Sequence, residues 1–187
     1  MRDQLNDKIL LYRLESSHDR DAFEALYWRY RPALLRFIYV RVPTRETAED
    51  VLSEVFVEMW RYVVEEGRRI THFRGLAYKI ARGKIAGYYK SKETGHVPLH
   101  EVSEGVLKYE EEYEEVDTAV LRAIFSLSPE DAELVMLRYV EGLRVKDIAD
   151  IMDKSSAAIS VKIGRLLKKL EEALAKGMDS APFKEEE

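Results

Sequence analysis

Between Gly142 and Leu170 the chain reads GLRVKDIADIMDKSSAAISVKIGRLLKKL, two short helical patterns parted by a tight polar break. In the first, Val145, Ile148, Ala149 and Met152 recur at helical spacing, and small Ala149 lets a partner helix approach closely. Asp153 to Ser155 supply the turn. The second repeats Ile159, Ile163, Leu166 and Leu170 at intervals of four, three and four, a single apolar stripe. Ser156, Ala157, Ser160, Lys162, Arg165, Lys168 and Lys169 are left on the outer face, short at the start and cationic later. Such a helix suits a major groove entered by its N-terminal half, which makes these residues the candidate duplex-reading set. The competing reading is a helical hairpin that closes a small bundle.

The net charge of -5 argues against a nucleic-acid partner until it is divided along the chain. Arg61 to Lys92 holds nine cations against two acids, net +7. From Glu93 to Asp117 nine acids oppose one lysine, net -8, and from Arg138 to Lys176 nine cations oppose six acids, net +3. Two cationic segments thus flank an acidic connector. With no cysteine, disulfide frameworks and thiolate metal sites are excluded, and no long apolar segment marks a signal or membrane anchor. A soluble, cytoplasmic protein with no membrane insertion is expected.

Helical periodicity runs through the rest, so the expected fold is all-α: two small helical domains joined by an acidic flexible linker, the C-terminal one a helix-turn-helix. The expected boundaries are 1–92 for the first domain, 93–116 for the linker, 117–176 for the second and 177–187 for an acidic tail. Helices are expected at Asp7 to Ser16, Ala22 to Arg41, Thr47 to about Val64, and His72 to Lys92. Asp19 or Asp21 caps the second and Thr44 or Thr47 the third, while Pro32 predicts a local bend. In the fourth, Leu76, Ile80 and Ile85 mark the apolar side. Gly75, Gly83 and Gly87 interrupt it, and each costs about 1 kcal/mol relative to alanine, so helix ends, close packing or the approach of another backbone are expected at some of them. Beyond the linker, a helix is expected from Asp117 to Leu127. Another is capped by Ser128, with Pro129 at its first position, and runs to about Val140.

Two constellations carry chemistry. Cations and aromatic rings interleave in the fourth helix, and that mixture can neutralise phosphates while stacking on unpaired bases. A plain surface helix with snorkelling tyrosines and lysines accounts for it equally well. Of the histidines only His96 and His100 lie close together, in the linker, without a rigid third ligand. Neither a nucleophile elbow nor a glycine-rich phosphate loop occurs, so neither an enzyme nor a cofactor is expected.

The order of DAFEALYWRYRPALLRF, AEDVLSEVFVEMWR, FRGLAYKIAR and, after the linker, LSPEDAELVMLRYVEGLRVKDIADIMDKSSAAISVKIGRLLKKL resembles the two-domain bacterial RNA polymerase sigma factors of the extracytoplasmic-function group. That resemblance covers nearly the whole chain. It implies that Asp50, Ser53 and Glu54 dock on the clamp helices of the largest subunit of core RNA polymerase. Phe73, Arg74, Tyr78, Lys79, Arg82, Lys84, Tyr88 and Tyr89 would melt and read the promoter's -10 element as single-stranded DNA. The duplex -35 element would fall to the C-terminal domain, with Lys162 and Arg165 on matching basic positions. An anti-sigma protein is the regulator the resemblance implies. Several residues depart from the family's frequent choices: Ser53 for glutamine, Leu76 for tryptophan, Gly83 for asparagine, Asp153 for a turn glycine and Lys154 for an apolar residue. A more open helix-turn-helix turn is expected from the change at Asp153. Two alternatives stand beside this reading: a stand-alone helix-turn-helix regulator, and a helical scaffold or decoy that contacts polymerase without recognising promoters.

Overall fold

The fold is that of a computed structural model, which describes the chain over residues 2–39, 41–91 and 127–178, with side chains over 6–39, 41–91 and 127–169. It is all-α, with no strand among the described residues. Among the described residues seven α-helices follow in order: α1 (Arg2–Ser17), α2 (Arg20–Tyr39), α3 (Arg45–Trp60), α4 (Phe73–Ser91), α5 (Pro129–Val135), α6 (Val145–Met152) and α7 (Ser156–Met178). They divide between an N-terminal and a C-terminal unit. The expected linker with its two histidines, the helix expected from Asp117, and the tail beyond Met178 lie outside the described residues.

In the N-terminal unit, α2 packs on α1, α3 and α4, and α3 also packs on α4. Local chemistry fixes where each begins. Asp19 Oδ1 accepts the amides of Asp21 and Ala22 at 3.0 and 3.1 Å, and Arg13 of α1 pairs with the same carboxylate at 2.7 Å. The Ala22 amide first, then Arg13, hold the Asp19 carboxyl below its ordinary range. Between the two threonines expected as caps of α3, Thr44 does the work, accepting the Thr47 amide at 3.1 Å. Pro32 lies inside α2 without ending it. Leu14, Leu26, Leu34, Phe37, Ile38, Val55 and Met59 are wholly buried. Phe23 meets Trp60 edge-on at 5.1 Å, and Tyr27 lies 4.6 Å from Phe56.

Polar bonds then fasten α1 to its surroundings. Asp7 accepts from both Arg29 and Tyr30 of α2. Burial, followed by that bond to Asp7, keeps the Tyr30 phenol protonated well above its usual range. Farther along, Glu15 Oε1 accepts the Ile70 amide at 2.8 Å, so α1 also holds the loop that leads into α4.

Both units end a helix in the same way. After α3, residues Arg61–Glu65 widen into a π-helical turn, closed by the Glu66 amide on the Arg61 carbonyl at 3.0 Å. After α5, Met136–Val140 do likewise, with Glu141 bonded to Met136 at 2.9 Å. Gly67 and Gly142 follow with φ of 63° and 64°, a left-handed backbone that glycine adopts without strain. The sequence marks these ends through Glu66-Gly67 and Glu141-Gly142, but nothing in its periodicity foretells the wider turn.

The C-terminal unit is closed by Leu134, Met136, Leu137, Ile148, Ile159 and Leu166, all nearly inaccessible. As expected, Ser128 caps α5, accepting the Asp131 amide at 3.3 Å, and Pro129 takes the first position. The turn between α6 and α7 corrects the expectation of an open bend. Asp153 itself adopts the left-handed conformation (φ 53°, ψ 45°), and the Lys154 amide closes on the Ala149 carbonyl at 3.0 Å. Aspartate is among the few non-glycine residues that tolerate this geometry. Ser155 Oγ then caps α7 by accepting the Ala158 amide at 3.2 Å. Asp153→Gly is therefore expected to stabilise the C-terminal unit by about 1 kcal/mol, whereas Asp153→Val destabilises it. Calorimetry of the full chain would check both, and an unchanged or lowered transition for the glycine variant would contradict the strain argument.

Candidate functional site

Helix α4 decides how much of the aromatic and cationic mixture is available to a ligand. Its buried face consists of Phe73, Ala77, Tyr78, Ala81 and Ile85. Leu76 and Ile80, expected to mark the apolar side, are only half-buried. Alanines at positions 77 and 81 instead place the smallest side chains of the helix in the core. Two expected strand-contacting residues are corrected by this placement. Tyr78 is 0% exposed, its ring edge-on to Phe37 at 4.8 Å and 89°. Phe73 is 2% exposed and lies 5.1 Å from the Tyr30 ring. Neither ring can stack on a base without opening the core.

Of the α4 cations, Lys79 points away from that face, Arg82 lies at its edge, and Arg74 and Lys84 fall at helical spacing within it. Lys79 is exposed, and Arg74, Arg82 and Lys84 are half-buried, with the Arg74 guanidinium 5.8 Å from the centre of the Tyr78 ring. Near the C-terminal end, Tyr88 meets Tyr89 edge-on at 5.1 Å, and the Tyr89 hydroxyl donates to the Arg41 carbonyl at 2.7 Å. Tyr89 is thus tied to the end of α2. None of the three glycines serves close packing, and Gly75 lies in the first turn of α4, one of the places expected for them. A Cβ at Gly83 or Gly87 would meet nothing within 4 Å, and at Gly75 only the Cβ of His72 at 3.8 Å.

On α3, Asp50, Ser53 and Glu54 are all exposed, and Ser53 Oγ bonds back to the Glu49 carbonyl at 2.8 Å. Val57 shares their face at the next helical turn and is 68% exposed. Sequence reasoning named it on neither face, although its spacing of seven, four and three from Asp50, Ser53 and Glu54 is the signal that could have found it. Lys84 of α4 lies 3.3 Å from Glu54 and 3.9 Å from Glu58 of α3. Lys84 therefore bridges α4 to the acidic face of α3.

In the C-terminal unit, Ser156, Ala157, Ser160, Arg165 and Lys168 are exposed along α7, and so is Lys169. Val161, at 56% exposure, joins them and was not expected there. Lys162 differs from the expected outward cation. It is half-buried and paired with Glu130 at 3.0 Å and Asp131 at 2.9 Å in the first turn of α5. Among the described residues no cluster of acids and histidines could hold a metal ion, and no helix is long and apolar enough to cross a membrane.

Comparison with known proteins matches residues 26–94 to the sigma-70 region 2 family and residues 117–170 to the sigma-70 region 4 family, together well over half of the chain. One curated relative is the ECF RNA polymerase sigma factor BldN of Streptomyces coelicolor, 32% identical over 75% of this chain and 56% of its own length. This chain thus spans little more than half of that relative. Another is the ECF RNA polymerase sigma-E factor of Haemophilus influenzae, 28% identical over 91% of this chain and 96% of its own. Among solved structures, CnrH in complex with the cytosolic domain of CnrY shares the fold, with a TM-score of 0.66 at 20% identity, over 91% of this chain and 98% of that one.

The placement of Tyr78 separates a structural role from a binding one. Tyr78→Ala is expected to destabilise the N-terminal unit by about 3 kcal/mol or more, as large-to-small core substitutions do, while Lys79→Ala stays within about 0.5 kcal/mol of the parent. Both tryptophans, Trp28 and Trp60, belong to that unit, so urea unfolding followed by their fluorescence reads the difference. Equal midpoints for the two variants would place Tyr78 outside the core.

Proposed function

The chain belongs to the extracytoplasmic-function group of sigma-70-like RNA polymerase sigma factors, and from that premise we propose that it binds core RNA polymerase and directs initiation at promoters carrying -10 and -35 elements. One observation supports this reading above the others: α4 buries Phe73 and Tyr78 yet leaves Lys79 exposed and Arg74, Arg82 and Lys84 only half-buried. In this proposal residues 1–92 dock and melt, 93–116 tether, 117–176 read duplex DNA, and 177–187 form a tail. It acts in the cytoplasm, without a cofactor.

Asp50, Ser53 and Glu54 form the docking face for the clamp helices of the largest subunit, and exposed Val57 gives that face an apolar centre. The α4 cations neutralise phosphates of the opened strand. Unpairing a few base pairs costs several kcal/mol, and contacts made only with the unpaired strand offset it. With Phe73 and Tyr78 in the core, base stacking falls to Tyr88, held against the tethered Tyr89. In the duplex-reading unit, Ser156, Ala157 and Ser160 offer short side chains to the groove, Val161 an apolar one, and Arg165 and Lys168 reach phosphates. With so few long donors, DNA shape supplies much of the discrimination. The CnrH structure holds a second protein, and an anti-sigma partner of this chain would regulate it by covering one of these faces.

Transcription in vitro with purified core enzyme tests the proposal, which requires transcripts that start at defined sites only when this chain is added. A stand-alone regulator or a decoy would yield none. Asp50→Arg is expected to weaken co-purification with core enzyme at least about tenfold, the loss typical of a reversed charge in a docking face. Lys79→Ala combined with Arg82→Ala keeps core binding but reduces permanganate-reactive thymines in the -10 region. Undiminished core association by the Asp50 variant would rule out the docking face, and an unaltered bubble would remove the two cations from melting.

A further inference from the structure

The clearest unassigned feature is a four-charge cluster within the C-terminal unit, formed between the first turn of α5, the α6–α7 turn and α7. Glu130 offers one carboxylate oxygen to Lys154 Nζ at 2.5 Å and the other to Lys162 Nζ at 3.0 Å. Asp131 adds a bond to Lys162 at 2.9 Å. Two lysines, one in the turn and one on the reading helix, thus converge on two oxygens of a single anionic group. Water reaches all four side chains, whose exposures run from 16% to 43%, so the pairs can exchange for other ions. Their protonation follows the geometry. Bonds from Lys154 and then Lys162 hold the Glu130 carboxyl below its ordinary range. Partial burial alone would lower Lys162, but its bonds to Asp131 and Glu130 outweigh that and raise it.

We propose that Lys154 and Lys162 form a binding site for a backbone phosphate of duplex DNA, and that the Glu130 carboxylate, with Asp131 beside it, occupies this site in the DNA-free protein. This rests on the reading of the C-terminal unit as a duplex reader and adds to it both a phosphate ligand, Lys154, and an internal competitor. A phosphodiester presents two charged oxygens to the paired ammonium groups, as the carboxylate does. Binding DNA is then an exchange of one anion for another. Because each lysine gives up a carboxylate as it takes a phosphate, the net electrostatic gain at this site is small, and duplex binding by the wild type is weak there.

The test measures binding of the full-length chain to a mixed-sequence DNA duplex as salt is varied. Each phosphate neutralised steepens the logarithmic salt dependence by about 0.9. Glu130→Gln with Asp131→Asn is expected to raise affinity about three- to tenfold near physiological salt and to steepen the slope by about 1 to 2. Adding Lys154→Gln to that pair takes back about 1 of the slope. Lys154→Gln alone alters one side chain in an exposed turn and is expected to flatten the wild-type slope, which keeps the test decisive should the acid variants unfold. Slopes equal across all variants would overturn the phosphate site while leaving duplex reading intact. Absence of salt-dependent duplex binding in every variant would overturn both.

Discussion

The packing of Tyr78 against Phe37 governs what the N-terminal unit can show its surroundings. An aromatic ring held edge-on at 4.8 Å inside a closed core fixes the rotation of α4 about its own axis. Once that rotation is set, Ala77 and Ala81 must face inward and Lys79 must face away, while Arg74 and Lys84 stay half-buried along the packed side. The surface charge of the helix follows from the shape of its buried side. Burial of the apolar stripe and display of Lys79 follow from that one geometry.

Much of this was legible in the sequence. Helix positions followed from apolar spacing, and short oxygen-bearing side chains before apolar runs marked Ser128 as a cap and narrowed two others to pairs, from which the structure selects Asp19 and Thr44. The face of α4 was not. Leucine, isoleucine, phenylalanine and tyrosine all lie along that helix, and periodicity cannot rank a tyrosine as core when its hydroxyl and a neighbouring cation suggest a surface. The decisive information sat in Ala77 and Ala81, whose small size permits close helix approach, yet alanine reads as neutral in any hydrophobic pattern. Val57 and Val161 lie at helical spacing from exposed neighbours and outside the apolar stripes, but a reading that sought polar side chains on the outer faces passed over them.

Charge was misread for a related reason. Net charge by segment identified two cationic regions but said nothing about which cations are already satisfied within the fold. Lys84 finds Glu54 and Glu58, and Lys162 finds Glu130 and Asp131, each across a gap in sequence that no local pattern spans. Such pairs are individually weak at a surface, and that weakness suits proteins that must trade internal partners for external ones. A chain with a formal charge of -5 can still engage a polyanion if its acids release its lysines at the right place.

The joints at Gly67 and Gly142 have one more implication. Both backbones are left-handed, yet a Cβ built there would meet no atom within 4 Å. Chirality, rather than crowding, is what excludes an ordinary side chain. A mirror-image alanine introduced by chemical synthesis would adopt this backbone without the strain an ordinary residue meets there, stiffening the joint after each helix.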